Sequence, residues 1–254
     1  MTTQGGPLGR WLRKAWWAGL AILACLPAAA QPTDALADLP RAEREVVERS
    51  NAFRRAQGLA PTMPNAALTA AAKGFAAFMV RTAEYGHEAD GHSPAERAQA
   101  QGYAYCMVAE NLAYLQSKTM RFGADELAQR FVQGWIDSPG HRHNLLNAEA
   151  IDIGVAVAHD PRNGRYYAVQ MFGRPATMRT HFEISNRSEQ TVRYRLGDER
   201  FSLPPRVTRE HEQCSTLVLS LDLPGHPGPT TLQPANGTSY RIEPGNSSLR
   251  LVSH

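Results

Sequence analysis

Cysteine is scarce in this chain: three in 254 residues, at positions 25, 106 and 214. That excludes a small scaffold stapled by many disulfides, so stability must come from a hydrophobic core, for which 43% hydrophobic residues suffice. Repeated and low-complexity tracts are also missing, as are an HExxH metal motif and a Ser or Cys set in a nucleophile elbow. The standard hydrolase signatures are therefore absent. No apolar run reaches a comfortable membrane span.

Charge of one sign is lacking too, once the N-terminus is set aside. Residues 1–30 carry Arg10, Arg13 and Lys14, an apolar run from Ala15 to Pro27, and then Ala28-Ala29-Ala30, which is the layout of a secretory signal. The chain has 27 Lys+Arg and 24 Asp+Glu; the leader holds three of the bases and none of the acids, leaving 24 of each. A balanced mature chain gives no reason to expect a nucleic-acid or anionic-membrane partner. The expected location is outside the cytoplasm, periplasmic or secreted. Ile22-Leu23-Ala24-Cys25 offers a second route, a lipoprotein anchored in the outer membrane through Cys25. Cys106 and Cys214 survive either cut, and an even pair in an exported protein is a disulfide candidate, with two buried thiols as the alternative.

What is present reads as two textures. Helical spacing places Val46, Val47, Ser50 and Phe53 on one stripe between Pro40 and Gln57, closed by Gly58. Asn65 caps a second helix with Leu68, Ala71, Ala72, Phe75 and Met79 in period. Ser93-Pro94-Ala95-Glu96 opens a short third helix ending near Gly102, and Leu127, Phe131 and Trp135 mark a fourth from Asp125 to Asp137. This fourth helix is expected to break at a Pro139-Gly140 turn. The period then becomes alternating: IDIGVAVAHD, a turn at 161–164 and RYYAVQMFG predict an antiparallel hairpin. Helices followed by a hairpin indicate an α+β layered domain, residues 31–176. From 177 to 254 the short runs HFEISN, TVRYRLG, RFSLP, STLVLSLDL, TSYRIEP and SLRLVS predict a separate small all-β module, sandwich or barrel.

Four of the nine histidines, His87, His92, His141 and His143, fall in two short stretches expected to be loops, with Glu110 between them in VAENLAY. Two imidazoles and a carboxylate can hold zinc or another divalent cation with a fourth position open, or serve as acid and base. Spacing alone favours structural roles, with His87 bridging a loop, Glu110 receiving backbone N–H groups and His141 orienting a turn. Trp135 continues the Leu127–Phe131 stripe and reads as core.

The ordered set is longer than these residues. Asn51 with Arg54, His87 in GHEADG, Ala109-Glu110-Asn111-Leu112, the run Trp135 to Leu146 (WIDSPGHRHNLL), Gly154-Val155-Ala156, and Tyr167-x-x-Gln170-x-Phe172-Gly173 together resemble the CAP superfamily over residues 41–175. That superfamily groups cysteine-rich secretory proteins, insect venom antigen 5 and plant pathogenesis-related proteins, and the chain looks like its bacterial branch. The resemblance implies an α-β-α sandwich with a His/Glu cleft. His87 matches the first family histidine and Glu110 the family acid, here after Ala109 instead of Gly. Ser138 stands at the second acid and Tyr167 at the second histidine, so half of the tetrad is missing. His141 is the candidate to point into the same cleft, with Asn144, Tyr167 and Gln170 around it.

The leading expectation is an exported, non-catalytic binding module whose cleft takes a divalent metal, a lipid or another small ligand, or a protein partner. The alternatives are a metal-assisted hydrolase or peptidase using Glu110 with His87 and His141, and a CAP scaffold whose C-terminal β module does the recognition.

Overall fold

The structure, a computed structural model, describes residues 38–254 except Met120; the expected leader and Cys25 lie outside them. Helix α1 (Leu39–Ala56) starts where the Asp38 carboxylate accepts the Arg41 N–H, with Pro40 in its first turn. Helix α2 (Ala66–Thr82) follows the short strand β1 (Met63–Pro64), capped by the Asn65 side chain on the N–H groups of Ala67 and Leu68. Helix α3 (Pro94–Ala100) opens with the reciprocal Ser93–Glu96 capping box. After strand β2 (Tyr105–Gln116) come α4 (Ala124–Asp137), α5 (Pro139–Leu145), and the hairpin β3 (Asp152–Asp160) and β4 (Arg165–Pro175).

These strands form one sheet in the order β1-β3-β4-β2, antiparallel except for the β1–β3 pair. Alternation sends the two sets of side chains into two cores. Ile153, Val155, Val157 and Phe172 meet Val46 of α1 and Leu127, Phe131 and Trp135 of α4. Ala156, Tyr167, Val169 and Met171 meet Leu68, Phe75 and Met79 of α2 and Ala98 of α3. Helices thus cover both faces, giving an α-β-α sandwich. Gly154 lets α2 approach: a Cβ there would sit 2.3 Å from the Leu68 carbonyl carbon.

The expected turn at Pro139-Gly140 is instead the start of a helix. Proline disfavours helical geometry in the residue before it, so Ser138 is extended (ψ 119°) and ends α4, while Pro139 occupies the first turn of α5. His141, His143 and Asn144 therefore ride on a helix and not in a loop. Strand β2, with no counterpart in the sequence reading, lies at the sheet edge.

From Thr180 onward every regular element among the described residues is a strand. Two four-stranded sheets, β10-β9-β6-β7 and β12-β11-β5-β8, are built from β5 (Thr180–Asn186), β6 (Val192–Leu196), β7 (Glu199–Leu203), β8 (Thr208–Gln213), β9 (Leu219–Asp222), β10 (Thr230–Leu232), β11 (Thr238–Pro244) and β12 (Leu249–Ser253). Phe182, Ile184, Tyr194, Leu196, Leu221 and Ile242 share their core. Cys106 and Cys214 are joined as a disulfide, tying β2 to the segment after β8. Beside it Glu149 accepts the Thr216 N–H and pairs with Arg174 at 2.9 Å.

One buried cation organises the turn after α5. Arg54 is 1% exposed, and its guanidinium donates to the carbonyls of Ala60, Leu145, Asn147 and Ala150. Burial lowers its pKa from the ordinary value. The neighbouring Asn51 side chain is closed on Thr62 through three hydrogen bonds. Replacing Arg54 by Met orphans four carbonyls, and the expected loss in urea unfolding is about 3–5 kcal/mol. Arg54→Lys, with fewer and less spread donors, recovers only part of it. A loss under about 1 kcal/mol for Arg54→Met contradicts this role.

Candidate functional site

Strand β2 has its outer edge free of strand partners, and such an edge presents unpaired carbonyls. The stretch WIDSPGHRHN closes it. The Trp135 indole N–H donates to the Leu112 carbonyl (3.1 Å), and the Asn144 amide donates to the Glu110 carbonyl (3.1 Å) and to Asn111 Oδ1 (2.9 Å). Asn111 in turn donates to the His141 carbonyl and to Gln170 Oε1, and the Gln170 amide donates to Ser50 Oγ. This chain of amides seats α5 against β2 and so fixes His141.

Residues of β2 divide their work by parity. Ala109, Asn111 and Ala113 face the α1/α4 side, while Glu110, Leu112 and Tyr114 face the side of α2 and α3. Glu110 is thereby sent beneath the loop that joins α2 to α3. Its side chain is 1% exposed, and both carboxylate oxygens are engaged. Oε1 accepts from His87 Nδ1 at 2.8 Å, and Oε2 accepts from Arg97 Nη2 at 2.9 Å.

Arg97, on α3, is the residue that spacing alone did not flag. It lies 3.7 Å over the Phe75 ring, and its terminal nitrogens donate to Asp90, to the carbonyls of His87 and His92, and to Glu110. One guanidinium thus pairs with two acids and holds the 87–92 loop at both ends. Its readable signal was position: the fourth residue after the Ser93 cap, on the face that carries Ala98 into the core.

Because a carboxylate only accepts, His87 donates from Nδ1 and turns Nε2 away from Glu110. Its side chain is 52% exposed. The hydrogen bond to Glu110 raises the His87 pKa, against a smaller opposing effect of burial. His141 moves the other way, lowered by burial and then by the charge of His87, so the two imidazoles are electrostatic neighbours of opposite tendency.

Two tyrosines complete the site, and the sequence reading did not single them out. Tyr85 and Tyr114 meet edge to face with centroids 5.2 Å apart, both about 45% exposed, and the Arg165 guanidinium lies 4.8 Å from the Tyr114 ring centre. Tyr85 lies two residues before His87, and Tyr114 shares the face of β2 that carries Glu110, which places the tyrosines beside the His/Glu pair; burial, then Tyr114 and Glu110, raise the Tyr85 pKa. Tyr114, two steps of two from Glu110, was predictable only once β2 was known to be a strand.

The remaining candidates fall elsewhere. Gln170 is fully buried on the opposite face of the sheet as a link in the amide chain, and Asn144 holds α5. Tyr167 shares the face of Glu110 but is fully buried beneath Tyr114, 6.2 Å between centroids. His143 and His92 are exposed on the surface. Among the described residues no three His, Cys, Asp or Glu side chains are grouped so as to hold a metal ion. The donor chemistry explains it: the Glu110 oxygen not used by His87 is taken by a guanidinium cation. As placed, the set does not fit a zinc site of three protein ligands.

The His87–Glu110 bond has a readable pH signature. A histidine with raised pKa contributes its stabilisation fully below the unfolded value near 6.5 and loses it as pH rises through the folded midpoint. In an NMR titration the His87 ring is expected to titrate above 6.5 and His141 below it, and Glu110→Gln should bring the His87 midpoint down. An unchanged midpoint in that variant removes the bond from the account.

A family model described as the cysteine-rich secretory protein family, CAP, matches residues 47–172. The uncharacterized protein YkwD of Bacillus subtilis (strain 168) is 28% identical over 153 residues, covering 58% of this chain and 55% of its own length. The chain thus spans about half of that curated relative. An extracellular SCP-domain protein from Bacillus anthracis str. Ames is similar in structure at 23% identity, over 54% of this chain and 41% of its own, with a TM-score of 0.45. An outer surface protein from Borrelia burgdorferi matches at 20% identity over 53% of this chain and 92% of its own, with a TM-score of 0.44. The family match over residues 47–172, with the likeness to YkwD, makes the chain a member of the CAP superfamily, beside bacterial members.

Proposed function

We propose that the protein is an exported CAP-domain binding module that holds a small ligand at His87, His141, Tyr85 and Tyr114 without cleaving it. The single observation behind this is the state of Glu110. A general base or a water-activating acid needs a lone pair aimed at the reacting water. Glu110 is buried, with one oxygen bonded to His87 and the other to Arg97. It acts as the anchor of His87, and the exposed imidazole Nε2 with the two tyrosine edges forms the surface offered to a ligand. Hydrogen-bonding groups beside aromatic edges suit a ligand with a polar head and a planar or apolar body.

Export is supported by the leader pattern and by the Cys106–Cys214 bond, since disulfides persist in oxidising compartments. The choice between a soluble product cut after Ala30 and one anchored on Cys25 is read from the mass of the mature N-terminus.

Turnover separates the module from the hydrolase reading. The full-length mature protein, with and without added zinc, is expected to leave a broad peptide and ester library intact. Hydrolysis that disappears in Glu110→Gln overturns the proposal. Zinc titrated by calorimetry into wild type, His87→Ala and His141→Ala then tests the cation: equal heats in all three leave an organic ligand, and loss in both variants makes the ion the ligand of this site.

A further inference from the structure

The outer face of the sheet β10-β9-β6-β7 carries positive charge that the fold does not neutralise. Inward-pointing Val192, Tyr194 and Leu196 of β6 fill the core, so Arg193 and Arg195 point outward and are exposed. On β7, Arg200 lies directly opposite Arg195 in the antiparallel register. Arg193 and Arg195 are two residues apart on one strand, about 7 Å. Directly opposed side chains on neighbouring strands have Cβ atoms about 5 Å apart, and like charges there are destabilising. Among the described residues none of these three arginines makes an ion pair or a hydrogen bond through its side chain. The single acid on this face, Asp222, sits across from Arg193, and Ser202 and Ser220 supply hydroxyls. The arginines, Ser220, Asp222 and Pro229, together with Tyr194 and Phe201, border a depression of about 370 Å³.

A cost built into a sheet register persists most readily where a partner relieves it. The mature chain is charge-balanced, so this is a local excess and not a by-product of a basic protein. Guanidinium groups recognise phosphate by paired N–H donors. Tyr194 and Phe201 also line the depression, but their rings pack inward against His211 and Tyr194 is 1% exposed, so nucleobases have no exposed platform. Three cations with no exposed apolar neighbours on the same strands are too few for a lipid surface, which calls for clusters of four to eight.

We propose that this arginine face binds a linear phosphate-bearing polymer that lacks bases, with Arg195 and Arg200 astride one phosphate and Arg193 on the next. The site is separate from the His87–Glu110 pair and stands or falls independently of it.

Inorganic polyphosphate is the probe, titrated into the full-length mature protein at low salt and followed by calorimetry. Binding is expected to weaken with salt with a log–log slope of about −1.5 to −2, as for two neutralised phosphates. Arg200→Glu is the decisive variant. It replaces a repulsive cross-strand pair by an attractive one, so Tm is expected to rise while polyphosphate affinity falls at least tenfold; Arg195→Ser, which also removes the repulsion, should weaken binding with a Tm no lower than native. Orthophosphate, single-stranded DNA and phosphatidylglycerol vesicles are the comparison arms, each expected to bind more weakly than the polymer. Undetectable polyphosphate binding, binding unchanged in Arg200→Glu and Arg195→Ser, or stronger binding of DNA or vesicles overturns the proposal.

Discussion

A carboxylate withdrawn from water needs a counter-charge, and the contact between Glu110 and Arg97 meets that need at the centre of the site. Leaving either partner alone would strand a charge in the space between β2, α2 and α3. The consequences spread outward from this pair. Arg97 fixes α3 against Phe75, holds the carbonyls of His87 and His92, and takes up Asp90, so the α2–α3 loop has one shape. Glu110 uses its other oxygen to orient His87, which decides which imidazole nitrogen faces out.

A second constraint, closure of the sheet edge, delivers the other half of the site. Outward carbonyls of β2 at Glu110 and Leu112 are met by Asn144 and Trp135 from the α4–α5 stretch, and Asn111 returns a bond to the His141 carbonyl. His141 comes to lie near His87 because an edge strand had to be covered. Glu110 takes part in both devices, with its side chain on the loop and its carbonyl on α5. The opposite arrangement holds on the C-terminal sheet, where the cross-strand pair Arg195–Arg200 is left without a counter-charge inside the fold.

Much of this was legible in the sequence where a local rule decides the outcome. The Asn65 cap, the Ser93–Glu96 box and the β3–β4 hairpin follow from short-range chemistry and appear as read. The CAP pattern brought His87 and Glu110 together from 23 residues apart, a contact that composition and period alone left open. What stayed hidden depends on distant partners. Strand β2 has apolar residues on both faces and Glu110-Asn111 in its middle, so its alternation is erased. Proline and glycine after Ser138 read as a turn because both residues punctuate chains, yet proline also suits the first turn of a helix. With β2 hidden, the shared face of Glu110 and Tyr114 could not be seen, and Arg97 looked like one more helical surface charge. Gln170 belongs to the pattern for its place in the amide chain through Asn111, not for contact with the cleft.

The central claim is that Glu110 is a structural counter-ion whose partner is Arg97. A double-mutant cycle in urea with Arg97→Met, Glu110→Gln and the pair together measures the coupling directly. The expected coupling is about 2–4 kcal/mol, with the double variant more stable than Arg97→Met alone because the buried Glu110 carboxylate is no longer left without its cation. Additive losses, with coupling below about 0.5 kcal/mol, would contradict the claim and return Glu110 to the list of groups free to do chemistry.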